Sequence, residues 1–287
     1  MNLASLANLL ILIGLMAIML SMGLKVTFEE VGASIRKPRL VVLGLVANYL
    51  LIPAVILGLL RAFDAGAMVS VGFLILAVCP GAPLGPPFAV IARGDVPSAI
   101  GQMVILAGLS ALLSPALLGL VMMWLLPEND LHVDYLAIVR VLLVAQILPL
   151  GVGLALRQWA PKLSRWIDLP VRVAANLLLI SAIVLVLFTE HGTFGTIKLQ
   201  GWLGMLLLLA ACLGIGWLCG GPGIATRKST AVTAGIRNVA VGLIIASKNF
   251  AGTPAMTAVI AYAFVSILGT LICALLFAAL PTTAAAK

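Results

Sequence analysis

The chain has 287 residues, of which 63% are hydrophobic and only 9% charged, and its mean hydropathy is +1.25. A soluble domain carries about 25% charged residues, so this composition excludes a water-soluble enzyme, a nucleic-acid-binding module and a disordered chain. The formal net charge of +8 is no nucleic-acid signature either, because the Lys and Arg residues fall mostly in short segments between apolar runs, where membrane insertion places them.

A membrane helix takes about 20 mostly apolar residues. Taken in chain order, such runs lie at 3–24, 38–60, 67–92, 96–126, 136–157, 169–189, 200–220, 228–249 and 253–280. The expectation is an all-α, polytopic membrane protein with nine transmembrane helices, forming one transporter-like unit over residues 1–287. The first run has no basic segment before it and no small-residue cleavage site, so it reads as a span and not as a signal peptide.

Loop charges set the orientation. Lys25, Arg36, Lys37 and Arg39 follow the first span, and Arg93 follows the third. Arg157, Lys162, Arg165 and Arg172 follow the fifth, Arg227 and Lys228 the seventh, and Lys287 ends the tail. These twelve cations face two, Arg61 and Lys198, in the alternate loops, which also hold Asp64, Glu128, Asp130, Asp134 and Glu190. The positive-inside rule then predicts a multi-pass plasma (inner) membrane protein with its N-terminus outside and its C-terminus in the cytoplasm. The loops are too short for a folded aqueous domain, so any activity belongs within the membrane or at its faces.

Two spans are not regular. The third contains Cys79-Pro80-Gly81-Ala82-Pro83-Leu84-Gly85-Pro86-Pro87. Each Pro lacks an N–H and clashes with the preceding turn, so the helix must break there. Backbone freed at membrane depth is tolerated only when buried in protein or lining a wet cavity. The eighth span holds Thr233, Arg237 and Asn238 between Gly235 and Gly242 and their flanks. An Arg at a helix centre costs about 2.5–3.5 kcal/mol on insertion scales, so Arg237 is expected to face a polar interior. Paired interrupted spans in the two halves of a chain point to an inverted-repeat transporter with its site at the midplane. Half-helix N-termini there would offer N–H donors to an anion.

These residues carry a family resemblance. Ser21-Met22-Gly23-Leu24 with Thr27-Phe28-Glu29-Glu30 and Arg36-Lys37-Pro38, Asn48-Tyr49-Leu50-Leu51-Ile52-Pro53, Cys79-Pro80-Gly81 with Ala92-Arg93-Gly94-Asp95, and Gly235-Ile236-Arg237-Asn238 with Gly242-Leu243 follow one another as in the bile acid:sodium symporter superfamily. The chain resembles that family over essentially its whole length. The resemblance implies a panel of helices 3–24, 136–157 and 169–189 against a core of 38–126 and 200–280, with two interrupted helices crossing in the core. It also implies alternating-access transport of a small organic anion, and no enzyme activity. The partners are then that anion and the lipid bilayer, without nucleic acid.

The sequence departs from the family's sodium ligands. Gly85 and Pro86 stand where the family has a Ser-Asn pair, Ala99 and Met103 where it has hydroxyls, Thr233 where it has an acidic residue and Arg237 where it has Gln. Asn48 alone keeps an amide, so any Na⁺ would sit near Asn48 and Thr233. A hard cation wants several oxygens, preferably one of them anionic, and two unit positive charges about 4 Å apart repel by roughly 4 kcal/mol at an effective dielectric of about 20. No cofactor is expected, and sodium coupling is in doubt. The expected substrate-binding set is Arg237, Asn238, Thr233, Asn48, Pro80, Gly81, Gly85 and Gly235, with Arg237 as a built-in cation presenting a fork that suits a carboxylate. The alternatives left open are that Arg237 only holds the crossover together by bonding a backbone carbonyl, or that the chain is a sodium-coupled symporter using backbone ligands, or a channel or sensor without turnover.

Other polar residues rank lower. Arg140 and Lys248 read as snorkelling cations near the outer ends of their spans. Gln146 lies in the panel, and Asn176 and Ser181 read as facing a cavity or a neighbouring helix. The five Trp residues sit mostly near span ends. Met16, Met19 and Met22, and the four Cys (Cys79, Cys212, Cys219 and Cys273), read as packing residues. His132 and His191 fall in outer loops and are given no role. No Asp or Glu lies within a span away from its boundaries, which speaks against an intramembrane protease or a carboxylate proton relay.

Overall fold

The structure is a computed structural model that describes residues 3–36, 38–125, 134–189, 197–250 and 252–281. Lys37, Glu128, Asp130, His132, Glu190, His191 and Lys287 therefore lie outside the described residues. Those described are helical, with no strand among them. Helix α1 is Leu3–Gly23 and α2 is Phe28–Ile35; α3 (Pro38–Val46), a π-turn (Ala47–Leu51) and α4 (Ile52–Ala62) run on as one rod. Then follow α5 (Ala67–Ala77), α6 (Gly85–Ile91) and α7 (Val96–Leu125). A second rod is α8 (Tyr135–Leu142), a π-turn (Leu143–Ile147) and α9 (Leu148–Trp159), followed by α10 (Pro161–Thr189). The chain closes with α11 (Leu199–Cys219), α12 (Ile224–Gly235), α13 (Val239–Asn249) and α14 (Pro254–Ala279).

Among the described residues seven helical runs are long and apolar enough to cross a membrane. They account for seven of the nine expected spans. The third expected span is divided into α5 and α6, since four prolines between Pro80 and Pro87 interrupt it. The sixth forms the later part of α10, whose first turns carry Lys162, Arg165, Asp168 and Arg172. The eighth is interrupted at residues 236–238, between α12 and α13.

Helices α1, α9 and α10 pack together. The first two approach so closely that a Cβ on Gly23 would lie 2.3 Å from the Leu150 carbonyl oxygen, and one on Gly153 2.4 Å from that of Leu20. At the cationic end of this group, Ser21 Oγ donates to Asp168 Oδ1 at 2.9 Å, and Lys25 Nζ lies 3.9 Å from the same oxygen. Burial lowers the Lys25 pKa below its ordinary value; Asp168 opposes the shift and Arg172 adds to it. Ser164 Oγ donates to the Leu24 carbonyl at 2.8 Å, so three contacts tie α10 to the end of α1.

The other group is built on α12 and α13, which are surrounded by protein: 94% of the most apolar stretch of Ile224–Asn249 is buried. That enclosure lets a helix interruption persist at membrane depth. Lys228 is buried at the start of this segment and its Nζ donates to the Leu280 carbonyl, 2.7 Å away, at the C-terminus of α14. A cation on the last carbonyls of a helix satisfies an orphan acceptor and complements the dipole. Lys228→Met should therefore lower stability by about 1.5–3 kcal/mol, read as a fall of several degrees in the detergent-solubilised unfolding midpoint.

Some of the lesser expectations change. Asn176 and Ser181 are both exposed on α10, with Ala175 and Ala182 turned inward, so neither serves as a buried helix-helix link. Arg140 and Lys248 are exposed at helix ends. Gln146, in contrast, is buried in its π-turn, where Nε2 donates to Ser110 Oγ at 2.8 Å and to the Ala107 carbonyl. It links the second rod to α7.

Candidate functional site

The two interrupted segments meet back to back. Helix α5 ends at Ala77 because Pro80 follows; Cys79 N–H still reaches the Leu76 carbonyl at 3.2 Å, but the regular ladder stops and its last carbonyls are left with acceptor capacity. Arg237 uses that capacity. Its Nε donates to the Leu76 carbonyl at 2.9 Å, Nη2 donates to the Ala77 carbonyl, and Nη1 donates to Asn48 Oδ1 at 2.8 Å. The guanidinium is 2% exposed. It sits at the negative end of the α5 dipole, which favours a cation there.

Asn48 is positioned by the π-turn of the first rod, and its own Nδ2 donates to the Gly44 carbonyl at 3.0 Å. Asn238 closes the crossing: its N–H donates to the Cys79 carbonyl at 2.9 Å, and its Oδ1 accepts the Val241 N–H at 3.3 Å as the N-cap of α13. Thr233 packs on Gly85, at the start of α6. Four of the expected residues, Arg237, Asn238, Thr233 and Asn48, are thus buried around one crossing. The rest act by shape. Gly81 is pressed against the α7 backbone at Ala107, Gly235 against Leu213 and Thr270, and Pro80 is buried beside Gly81.

Two helix termini were expected to supply N–H donors to an anion, and part of that donor set is occupied. At the start of α6 the Gly85 N–H already donates to Ala82 O, Pro86 and Pro87 have none, and the Phe88 N–H donates to Leu84 O. At the start of α13 the Val239, Val241 and Gly242 N–H groups are taken by Arg237 O, Asn238 Oδ1 and Asn238 O. Buried side-chain donors stand beside these termini: Asn238 Nδ2 and Thr233 Oγ1 have no hydrogen-bond partner. A buried donor left unmatched costs about 1–3 kcal/mol, which an accepting ligand would recover.

Sequence reading missed two members of the site. Gln102 of α7 donates from Nε2 to Thr230 Oγ1 at 2.9 Å, and its Oε1 is buried without a partner. Thr230 and Thr233 lie three residues apart on α12 and share a face. The signal for Gln102 was present: it is a lone amide inside an apolar run, and polar residues within spans deserve suspicion.

The sodium expectation meets the same geometry. The oxygens gathered beside Asn48 are those of Leu76, Ala77 and Asn48 itself, and all three accept from Arg237. Around Thr233 and Gly235 the buried oxygens without partners are neutral: Thr233 Oγ1, Gln102 Oε1 and Thr270 Oγ1.

A sequence profile of the sodium bile acid symporter family matches residues 12–195, more than half of the chain. The chain belongs to that family. Among curated proteins it is similar to a sodium-dependent transporter of Bacillus subtilis, YocS, with 26% identity over 253 residues, covering 85% of this chain and 75% of that protein. It is 24% identical over 249 residues to the chloroplastic probable sodium/metabolite cotransporter BASS2 of rice (Oryza sativa subsp. japonica), covering 83% of this chain and 56% of the relative. Similarity to the human sodium/bile acid cotransporter 4 is 26% over 171 residues, covering 60% of this chain and 38% of the relative. The chain therefore spans about half of the rice relative and less of the human one. Family membership and the apolar helices together make it a multi-pass membrane protein of a transporter family.

Proposed function

We propose that this chain transports a small organic anion by alternating access and does so without sodium, with Arg237 as its permanent internal cation. The carrying observation is the guanidinium lodged among Leu76 O, Ala77 O and Asn48 Oδ1. An ion that never deprotonates holds the crossing together there without being bound and released each cycle. Its charge has no acidic partner within the spans, so it attracts an anion to the crossing, where Asn238 Nδ2 and Thr233 Oγ1 stand ready to donate. The helices of 38–126 and 200–280 would move as a core against a panel of 3–24, 136–157 and 169–189. Insertion in a plasma (inner) membrane with the N-terminus outside follows from the loop charges.

A second reading is sodium coupling, since the relatives above are named as sodium-dependent transporters or sodium cotransporters. Proteoliposome uptake of labelled small carboxylates separates the two. The expected result is the same initial rate in a Na⁺ gradient and in K⁺ or choline; uptake that needs Na⁺ overturns the first reading.

Asn48→Asp tests the charge alone. It places a carboxylate where Oδ1 now lies 2.8 Å from the guanidinium, neutralising the pocket while preserving the bond. Folding should be retained, and anion uptake should fall by about tenfold or more, the equivalent of roughly 1.4 kcal/mol of lost attraction.

A further inference from the structure

A cavity lies away from the crossing residues. It has a volume of about 410 Å³ and opens between the end of α4, the start of α5 and the first turns of α11 and α14. That size falls within the range of about 300–1,000 Å³ typical of small-ligand sites. Its walls are mainly apolar, and Ile56, Leu60, Phe73, Met205, Leu208 and Ala258 among them are buried. Behind the lining, Phe73 meets Tyr262 edge-on, ring centroids 6.1 Å apart.

Three features identify the occupant. The first is depth: the cavity runs along α11 from Lys198 to Leu208, about 15 Å at about 1.5 Å per residue, which is half of a hydrocarbon core about 30 Å thick. The second is the rim: Lys198 and Asp64, of opposite charge, both line the mouth, at the helix ends where lipid headgroups lie. The third is an orphan: Thr257 lines the cavity, is 5% exposed, and its hydroxyl has no partner.

We propose that this cavity holds one acyl chain of a phospholipid from the adjoining leaflet, with a zwitterionic, ethanolamine-type headgroup between Lys198 and Asp64. The phosphate faces Lys198 and the ammonium faces Asp64. The Thr257 hydroxyl gives the chain's ester carbonyl, or a water beside it, a donor. A free fatty acid fits the walls and can pair its carboxylate with Lys198, but it brings no cation for Asp64. The inference does not depend on how the crossing works.

The test uses the full chain in phosphatidylcholine vesicles doped with a phosphatidylethanolamine that carries a photoreactive diazirine on one acyl chain. Labelling should map to the cavity-lining residues Gly201, Gly204, Met205 and Leu208 and to Pro254, Thr257 and Ala258, and unlabelled phosphatidylethanolamine should compete better than phosphatidylglycerol or palmitate. Gly204→Phe, which grows a ring toward Phe63 into the cavity, should cut that labelling by about tenfold. The exposed Leu206 and Leu207 should still be labelled, as bulk-lipid controls. Lys198→Gln combined with Asp64→Asn should erase the headgroup preference; Asn tolerates the positive φ of 46° at position 64. Labelling confined to Leu206 and Leu207, or unchanged in Gly204→Phe, overturns the site. Equal competition by palmitate or phosphatidylglycerol against the unaltered chain overturns the headgroup assignment without needing any variant to fold.

Discussion

Arg237→Gln will abolish uptake, with a fall of about a hundredfold or more. Gln is too short to reach the carbonyls of Leu76 and Ala77 and the Asn48 amide together, which Arg237 bridges with three separate N–H groups. Each hydrogen bond to a charged group is worth about 1.5–3 kcal/mol, so losing two of them corresponds to that factor or more. The end of α5 would also lose the cation that its dipole favours. Initial-rate uptake by reconstituted protein, with a thermal unfolding scan of the same sample, separates lost transport from lost fold. Arg237→Lys sharpens the test. Lys restores the charge but not the planar fork, so it should recover part of the stability and little of the transport. Full recovery with Lys would show that charge without fork geometry suffices, and undiminished uptake in Arg237→Gln would sink the internal-cation reading.

Gly81→Ala will prevent formation of a stable, monodisperse protein. Gly81 has φ +80°, a conformation that costs an L-residue about 1–2 kcal/mol. The larger penalty is steric: an added Cβ would lie 2.4 Å from the Ala107 nitrogen and 2.8 Å from its Cα. Those are backbone atoms in the middle of α7, so relief requires that whole helix to shift. The shift would carry Gln102, Ser110 and Ser114 with it, and Ser114 Oγ donates to the Val78 carbonyl just before the interruption. Gly221→Ala is the control. Its φ is +78°, but nothing lies within contact distance of the added Cβ, so only the conformational cost applies. Size-exclusion profiles should show the first variant aggregated and the second near normal; a normal profile for Gly81→Ala would mean that α7 yields without loss.

Much of the architecture was legible because a bilayer imposes one-dimensional constraints. Continuous apolar length decides where a span lies, and four prolines within eight residues decide that α5 cannot run into α6. Arg237 and Asn238 stood out for the same reason: polar groups at membrane depth are expensive enough to demand a partner. Their partners were not legible. Helical periodicity tells which residues share a face, but not which other helix that face will meet. The Leu76 and Ala77 carbonyls carry no side-chain signature, and they lie about 160 residues from Arg237. Gln102 was passed over because its role depends on Thr230, 128 residues away. Which helix-terminal N–H groups are occupied was not legible either, because it depends on local turns: those of Gly85, Phe88, Val241 and Gly242 are held by Ala82, Leu84 and Asn238 oxygens.

Composition and pattern alone thus establish an all-helical membrane protein with two interrupted segments and one costly buried arginine. Each follows from the free energy of placing a given residue in hydrocarbon, which needs no knowledge of neighbours. Only the tertiary structure decides that the arginine binds the end of the opposite interrupted helix, that the amide of Asn48 turns toward it, and that the cavity beside Lys198 and Asp64 stands apart from the crossing. Hydrogen bonds act over about 3 Å, and chain segments a hundred or more residues apart are brought within that reach by packing, which no local pattern encodes.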